Sequence, residues 1–586
     1  MSRTRQPDGP RTRAWFVGDA PDFRRRGLWL VLAFLAMAIT VFGRLVQVQV
    51  LQGSTLAARA RAQHTASVTL RGDRGLILDR SGRVLASNRA VYDVFADPAL
   101  IPASQRVTVA QQLTAILRVD YSKIATALQQ PNQFDYLAKG VSPDINTRLR
   151  ALDLPGIGTI PGQQRVYDSS PVNAASFASN LLGYVDADGA GQYGAEQYYN
   201  TVLSGAAGSE STLTDLLGNS IVLSGRQRVD AHNGDNLVLG LDSQLQYWAE
   251  VALAKGVADS GSVSGTLMIM DPHTGSIRAW AQYPTYDANN YGQSNIADFR
   301  DLAVSQPYEP GSVMKVVTFA GGLNNHTITP KTVIDEHQTV IDGYLIHDWD
   351  NRSHGSVSMQ TVLDLSLNNG AIKLQQMEGQ NAFYANMLGF GIGAPTGIDL
   401  AGEVNNAMRP QPSWRTLNYA EASFGQGVLT TPVEMLAAIN TVANDGVWVQ
   451  PHVVDAVVDP ATGASKPFVP RTRRVISSGA AATLSHMMVG VVDDRGSEGF
   501  EAQIKGYKGE IAGKTGTASV AENGRYGSNV TASFVGFMPV AHPQFTMMVI
   551  LNRPQENRLP RFGALLAAPV WRSVAQIIID QWRIQP

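Results

Sequence analysis

Between Gly27 and Gly43 the chain reads GLWLVLAFLAMAITVFG, 17 residues without a charge and almost all apolar. Such a stretch predicts a helix apolar on every face, and it reaches about 26 Å, at the short end of what crosses a bilayer. Arg44 can bring its guanidinium to the interface and lengthen the span. Ala36-Met37-Ala38 has the small-x-small form of a leader cleavage site. Apolar residues continue past it, which favours an uncleaved anchor over a secretory leader. The flanks are unequal, because residues 1–26 carry seven Arg against three Asp, or +4, including Arg24-Arg25-Arg26. By the positive-inside rule the N-terminus is then cytoplasmic and everything after residue 44 lies outside. The Arg/Pro/Gly/Asp-rich composition of residues 1–26 predicts a disordered tail.

Beyond the anchor, Leu45–Ala66 has apolar spacing compatible with a helix leaving the membrane. In RGDRGLILDRSGRVLASN (71–88), Ile77-Leu78 and Val84-Leu85 read as short strands around the turn Asp79-Arg80-Ser81-Gly82. Arg71-Gly72-Asp73 matches a cell-attachment tripeptide, a pattern common by chance. From about 90 to 240, short helical and strand patterns mix without a dense polar cluster, as in a folded accessory region. Gly189-Ala190-Gly191-Gln192-Tyr193-Gly194 matches G-x-G-x-x-G. No strongly apolar strand leads into it, so a turn before a helix at Glu196–Leu203 is the better account. A new rhythm begins near Asp242. SQLQYWAEVALAKGV predicts an amphipathic helix, and GTLMIMDPHTGSIRAWAQYP predicts strand, turn at Asp271–Gly275, strand. Helices and strands then alternate, as in an α/β domain of about 340 residues.

Composition adds exclusions. The 586 residues are 44% hydrophobic and 16% charged, an ordinary globular balance with enough apolar residues for a sizeable core. The net charge of −2 and pI of about 6.6 do not call for nucleic acid. With no cysteine, disulfides, thiolate metal sites and cysteine nucleophiles are excluded. The ten His are scattered with no His-x-x-x-His pair, which argues against a catalytic zinc.

Three short motifs carry candidate chemistry. In Glu309-Pro310-Gly311-Ser312-Val313-Met314-Lys315, Pro-Gly makes a turn and a helical run to Ala320 follows, closed by Gly321-Gly322. Ser312 then sits in the first helical turn, where free N–H groups favour negative charge, with Lys315 one turn along the same face. A Ser hydroxyl needs a neighbour to take its proton, and a Lys can do so only when neutral. Ser366-Leu367-Asn368 falls between the helical runs MQTVLDL and NNGAIKL. Gly513-Lys514-Thr515-Gly516-Thr517-Ala518 reads as a strand whose glycines would let a substrate backbone lie alongside. Each motif alone has an ordinary reading: a solvated Lys, a polar break between helices, an edge strand. Together they appear once each, in this order, 54 and 148 residues apart. The ordered set matches penicillin-binding proteins and related serine acylases.

The chain resembles a class B penicillin-binding protein over nearly all its length after the tail. The resemblance is carried by RGLILDRSGRVLA (Arg74–Ala86) and GYVDADGAGQYGAEQYYNTVLSG (Gly183–Gly205) in the first half. In the second half it is carried by LDSQLQ, DPHTGSIRAWAQYPTYD, EPGSVMK, LGFGIGAPTGIDLAGE, FGQGVLTTPVEM and AGKTGTA. Residues 524–554 and GYVDADG resemble the division-specific branch most, and Gly496-Ser497 stands where many relatives have Gly-Thr. No Glu-Asp-x-x-Phe segment of the kind used for glycosyl transfer occurs upstream. The fold implied is an α/β (α+β) penicillin-recognising serine transpeptidase domain, preceded by a mixed α/β pedestal and one N-terminal transmembrane helix. The implied boundaries are 1–26 cytoplasmic tail, 27–46 anchor, 47–240 pedestal (dimerisation-like) and 241–586 transpeptidase.

The resemblance implies acyl transfer. Ser312 would attack the carbonyl between two terminal D-Ala residues of a peptidoglycan stem peptide, with Lys315 as base. Ser366 and Lys514 would relay the proton, and Asn368 would hold the substrate amide and Lys315. Thr515, Gly516 and Thr517 would bind the substrate's end, the two hydroxyls taking its carboxylate. The N–H groups of Ser312 and Thr517 would form the oxyanion hole. No metal or organic cofactor is implied. Implied partners are stem peptides, β-lactams and a polytopic glycosyltransferase of the shape, elongation, division and sporulation family, at the septum and on the outer side of the bacterial inner membrane. The alternatives are a D,D-carboxypeptidase or β-lactamase-type hydrolase, which shares the acylation, and a non-catalytic β-lactam sensor or divisome scaffold. The anchor and pedestal favour transfer, and the complete motif set argues against a dead scaffold.

Overall fold

A computed structural model describes residues 20–56, 65–70, 72–172, 174–213, 227–522, 525–555 and 560–586. They form two units, Met1–Arg71 with Ala207–Ala231, and Gly72–Ala206 with His232–Pro586.

In the first unit, helix α1 spans Ala20–Val46 and continues as a π-helical turn over Gln47–Leu51. Arg25–Leu51 is long and apolar enough to cross a membrane, and its apolar window is 0% buried within the protein. Trp29 and Phe34 are 71% and 67% exposed. Each large apolar side chain left in water forgoes about 2 kcal/mol of burial, so the helix has the character of a membrane anchor. Helix extends back through Ala20–Arg26, which the composition predicted to be disordered. Arg is a good helix former, and an anchored helix propagates into it. Residues 1–19 lie outside the described residues. The helix predicted over Leu45–Ala66 holds through the π turn and a short turn at Gly53–Leu56, but Ala66 lies in strand Thr65–Leu70. That strand pairs antiparallel with Gly208–Leu213, which also pairs with Gln227–Val229. Its β-branched Thr65, Val68 and Thr69 favour a pleated partner. Residues 57–64, and Arg71 of the tripeptide, lie outside the described residues.

In the second unit, Ile77–Leu78 and Val84–Ala96 pair antiparallel around the predicted turn. Asp79 Oδ1 closes it, accepting from the Ser81 and Arg83 N–H groups at 2.8 and 2.9 Å. These strands join a seven-stranded sheet that also holds Asn236–Leu239 and Val454–Val458. Asn236–Leu239 pairs with Ile77–Leu78 on one side and Val454–Val458 on the other, tying the first half of the chain to the second. The G-x-G-x-x-G run begins at the end of the turn between the short strands Tyr184–Val185 and Gly191–Gln192, includes the second of them and ends on the first residue of a five-residue helix, Gly194–Tyr198. Asp186 Oδ1 holds the turn by accepting from Ala190 N–H at 2.9 Å. The two segments that carry the first-half resemblance meet at Glu196, which is 0% exposed. Its carboxylate accepts from Arg74 Nε and Arg165 Nε, each at 2.7 Å, and from the Tyr167 hydroxyl at 3.2 Å.

A five-stranded antiparallel sheet organises the second half. It comprises β1 (Ser264–Met270), β2 (Ile277–Tyr283), β3 (Ala512–Glu522), β4 (Arg525–Met538) and β5 (Phe545–Asn552), in the order β2-β1-β5-β4-β3. Its strands are apolar at consecutive positions because both faces are covered. Leu267 and Ile269 of β1, with Met547, Val549 and Leu551 of β5, face one core, which includes the C-terminal helix Gly563–Trp582. Met268, Met270, Met548 and Ile550 alternate onto the other core, with Met314, Val316 and Val317. The predicted amphipathic helix is α2 (Ser243–Ser260), capped by Asp242, whose carboxylate accepts from Gln244 and Leu245 N–H. Leu245, Ala249, Leu253 and Val257, four residues apart, are buried on the first face. The sheet being antiparallel, the domain is α+β rather than doubly wound.

Helix α3 (Met314–Asn324) continues through Gly321-Gly322, where the sequence suggested a stop. A Cβ on Gly321 would lie 2.5 Å from the Glu378 carboxylate, and one on Gly322 would lie 2.6 Å from Leu374 Cδ1. The pair lets a neighbouring helix approach closely.

Candidate active site

Ser312 is presented by a turn that only close backbone packing explains. Gly311 has φ +56°, and a Cβ there would lie 2.9 Å from the Thr517 carbonyl. Its N–H donates to Gly425 O at 3.0 Å, and Gly425, at φ +83°, leaves no room for a Cβ against Gly311. A 3-10 turn over Gly311–Val313 then leads directly into α3, placing Ser312 at a helix N-terminus and Lys315 one turn on.

Lys315 is 0% exposed. Its Nζ lies within hydrogen-bond distance of Ser312 Oγ at 3.1 Å, Ser366 O at 2.5 Å, Ser366 Oγ at 3.2 Å and Asn368 Oδ1 at 2.8 Å, so when neutral it can donate to two of these and accept from a serine hydroxyl. Burial pushes this amine well below the usual lysine range, and the nearby Lys514 charge adds to the effect against Asp348 and Glu498. Ser366 follows helix α4 (Met359–Asp364) in the left-handed region at φ +56°. A non-glycine residue there costs of order 1 kcal/mol or more and persists only where its surroundings fix it. Here the Ser366 N–H donates to Leu363 O at 3.2 Å, while its carbonyl and hydroxyl both serve lysines.

Lys514 lies on β3, the edge strand, and is also 0% exposed. Its Nζ donates to Ser366 Oγ at 2.9 Å. Burial lowers its pKa to about 8, with Glu498 and Asp364 pulling the other way. Ser312 Oγ, Lys315 Nζ, Ser366 Oγ and Lys514 Nζ thus form one continuous hydrogen-bonded chain. Two buried ammonium groups cannot share it comfortably, so the environment drives the two pKa values apart. A neutral Lys315 can accept the Ser312 proton while Lys514 keeps its charge.

Asn368 opens helix α5 (Asn368–Glu378). Its Oδ1 accepts from Lys315 Nζ at 2.8 Å, and one Nδ2 hydrogen goes to His347 O at 3.1 Å, leaving the second available on the cleft side. Sequence reading missed Asp348. Its carboxylate caps α5, accepting from Asn368 N–H, from Asn369 N–H at 3.2 Å and from Asn369 Nδ2 at 3.0 Å. Burial works to raise the Asp348 pKa, but hydrogen bonds from Glu336 and Asn369 hold it low; burial and Asp348 raise Glu336 to about 7.

The glycines of the third motif face inward. A Cβ on Gly516 would lie 2.3 Å from Ser533 Oγ and 2.9 Å from Val313 Cγ2, and one on Gly513 would lie 2.5 Å from the Phe534 ring. They allow β3 to pack against β4 and the Ser312 turn, so their missing side chains make no room for a substrate, contrary to expectation. Thr515 Oγ1 accepts from Lys514 Nζ and donates to Glu498 Oε2, both at 3.2 Å. Thr517 Oγ1 accepts from Gly563 N–H at 3.1 Å. Ser312, Ser366, Asn368, Thr515 and Thr517 line one cleft. Trp349, Phe424, Gln426, Glu498 and Phe562 also line it; Phe424 and Gln426 belong to the FGQGVLTTPVEM segment, and no sequence signal pointed to Trp349, Glu498 or Phe562. No group of three or more His, Asp or Glu able to hold a metal ion occurs among the described residues. The arrangement brings two serine hydroxyls and two buried lysine amines into one hydrogen-bonded chain, with two threonine hydroxyls in the same cleft.

Comparison with known proteins gives the same picture. Residues 265–576 match the family model described as penicillin binding protein transpeptidase domain, and residues 69–239 match penicillin-binding protein dimerisation domain. The chain is 28% identical to peptidoglycan D,D-transpeptidase FtsI of Escherichia coli over 563 residues, covering 95% of this chain and 91% of that one. It is 27% identical to stage V sporulation protein D of Bacillus subtilis over 572 residues, covering 96% and 86%. A peptidoglycan synthetase structure from Bifidobacterium adolescentis superposes with TM-score 0.71 at 25% identity, covering 89% of this chain and 97% of that one. Penicillin binding protein 3 of Mycobacterium tuberculosis, complexed with aztreonam, shares the fold with TM-score 0.69 at 24% identity, covering 88% and 98%.

Proposed function

The chain belongs to the penicillin-binding protein transpeptidase family, class B, and on that premise we propose that it is a membrane-anchored septal D,D-transpeptidase whose nucleophile is Ser312. The observation that carries the residue assignment is the unbroken chain from Ser312 Oγ through Lys315 Nζ and Ser366 Oγ to Lys514 Nζ. Neutral Lys315 takes the hydroxyl proton as Ser312 Oγ attacks the carbonyl between the two terminal D-Ala residues. The tetrahedral oxyanion meets the N–H groups of Ser312 and Thr517. The proton passes by way of Ser366 and Lys514 to the amide nitrogen, the C–N bond breaks, and D-Ala leaves as the amine. An amine of a neighbouring stem peptide then attacks the Ser312 ester and gives its proton to Lys315; the C–Oγ bond breaks, Lys315 returns that proton to Ser312 Oγ, and the new amide is the cross-link. Lys514, Thr515 and Thr517 seat the terminal carboxylate. Penicillin acylates the same serine, and its ring opening replaces departure of D-Ala.

The division between 47–240 as pedestal and 241–586 as catalytic domain belongs to this reading, as does an N-terminus in the cytoplasm with the cleft outside the inner membrane. The Arg-rich segment before the apolar run that starts at Gly27 supports that orientation. Cross-linking needs a growing glycan strand, so a polytopic glycosyltransferase of the shape, elongation, division and sporulation family is the partner proposed. Labelling with a fluorescent penicillin followed by peptide mapping tests the core of this reading. The adduct is expected on the peptide containing Ser312 and absent in Ser312→Ala; an adduct that survives that substitution refutes the assignment.

A further inference from the structure

Glu498 places a carboxylate inside the cleft. Its backbone N–H is tied to Asp364 O at 3.2 Å, and its Oε2 accepts the Thr515 hydroxyl at 3.2 Å. Thr515 Oγ1 meanwhile accepts from Lys514 Nζ at 3.2 Å. A threonine hydroxyl carries a single hydrogen, so Thr515 donates to one acceptor at a time. Thr517 differs, because Oγ1 there accepts from Gly563 N–H and keeps its hydrogen for a ligand. Of the two hydroxyls that would bind a terminal carboxylate, one therefore already donates to a carboxylate of the protein itself. A second carboxylate arriving at Thr515 would lose that hydrogen and meet a like charge close by, a contact that disfavours binding.

We infer that Glu498 is a built-in competitor for the carboxylate subsite: it holds the Thr515 hydroxyl in the free enzyme and must release it before an anionic acyl donor can seat. Glu498 thereby sets how strongly the cleft discriminates between donors that carry a terminal carboxylate and donors that do not. The inference rests on the transpeptidase reading of the Ser312 cleft.

The test is the second-order rate of Ser312 acylation, followed by intact mass, with benzylpenicillin and with its neutral methyl ester. Glu498→Gln keeps the shape and removes the charge, and Glu498→Ala removes the acceptor as well. At about pH 6, where Lys514 keeps its proton in wild type and variants alike, both variants are expected to react with benzylpenicillin roughly tenfold faster than wild type, and with the ester by a clearly smaller factor. Unchanged or slower reaction with benzylpenicillin in both variants overturns the inference, and so does equal acceleration with both compounds. A wild-type protein that forms no adduct at all removes the transpeptidase reading itself, and this inference with it; a wild-type adduct with no change in the variants removes the inference alone.

Discussion

Replacing Lys514 by Arg separates its charge from its titration. In wild type, burial brings the Lys514 amine down to about 8 against the pull of Glu498 and Asp364. Lys315 sits on the other side of the balance, pushed well below the usual lysine range and required as a neutral base. If acylation needs Lys514 protonated, the rate loses half its plateau at about pH 8, about nine tenths by pH 9 and about 99% by pH 10. Arg does not lose its proton in this range, so Lys514→Arg should keep its rate constant across that window. The larger guanidinium enters a fully buried site and will lower the plateau through overpacking, so the shape of the profile is decisive and its height is not. The assay is the rate of penicillin acylation from about pH 6 to about pH 9.5, corrected for alkaline hydrolysis of the drug. A descending limb near pH 8 that persists in Lys514→Arg would assign it to another group. A flat wild-type profile would refute the requirement for a charged Lys514.

Further expectations follow from the same contacts. Lys315→Arg keeps the positive charge but removes the base, so Ser312 acylation should fall by at least about a hundredfold, read by intact mass; near-wild-type acylation would take Lys315 out of the role. Glu498→Gln removes a carboxylate that supports the Lys514 charge, so the descending limb should move below pH 8, visible in the same profile. Glu196→Gln leaves Arg74 and Arg165 facing a neutral side chain in a fully buried position, and should cost about 3 kcal/mol in denaturant unfolding with no new site chemistry. A Cys placed at Thr462, in an exposed loop of a chain without native Cys, should react with an impermeant thiol reagent on cells opened osmotically; protection there would reverse the topology.

Much of this architecture was legible because its causes are local. Strand, turn and strand around Asp271–Gly275 follow from two short, largely apolar runs with a turn signal between, and α2 follows from apolar residues at helical spacing behind Asp242. The apolar helix needs no tertiary context at all, since every side of it must leave water. Local reading failed where a residue's purpose lies in a distant partner. Gly321-Gly322 has the composition of a helix stop, yet here it makes room for Leu374 and Glu378. Gly513 and Gly516 suggested space for a ligand, but Phe534, Ser533 and Val313 occupy that side.

The same division runs through the cleft. Ser312 and Lys315 are one helical turn apart, so their meeting is a property of the helix and could be anticipated from spacing. Ser366 and Lys514, 148 residues apart, meet only because Ser366 adopts a left-handed backbone conformation between α4 and α5 and because β3 forms the sheet edge beside α3. Their order along the chain pointed to them, but the strain that fixes Ser366 was invisible. Asp348 and Glu498 had neither spacing nor a motif to mark them. Both are carboxylates that act on a motif from outside it: Asp348 caps the helix that carries Asn368, and Glu498 engages the hydroxyl next to Lys514. On the proposed mechanism the motifs supply the groups that move protons, while these unmarked carboxylates bear on the charges those groups keep and, by the inference drawn from Glu498, on the ligands they admit.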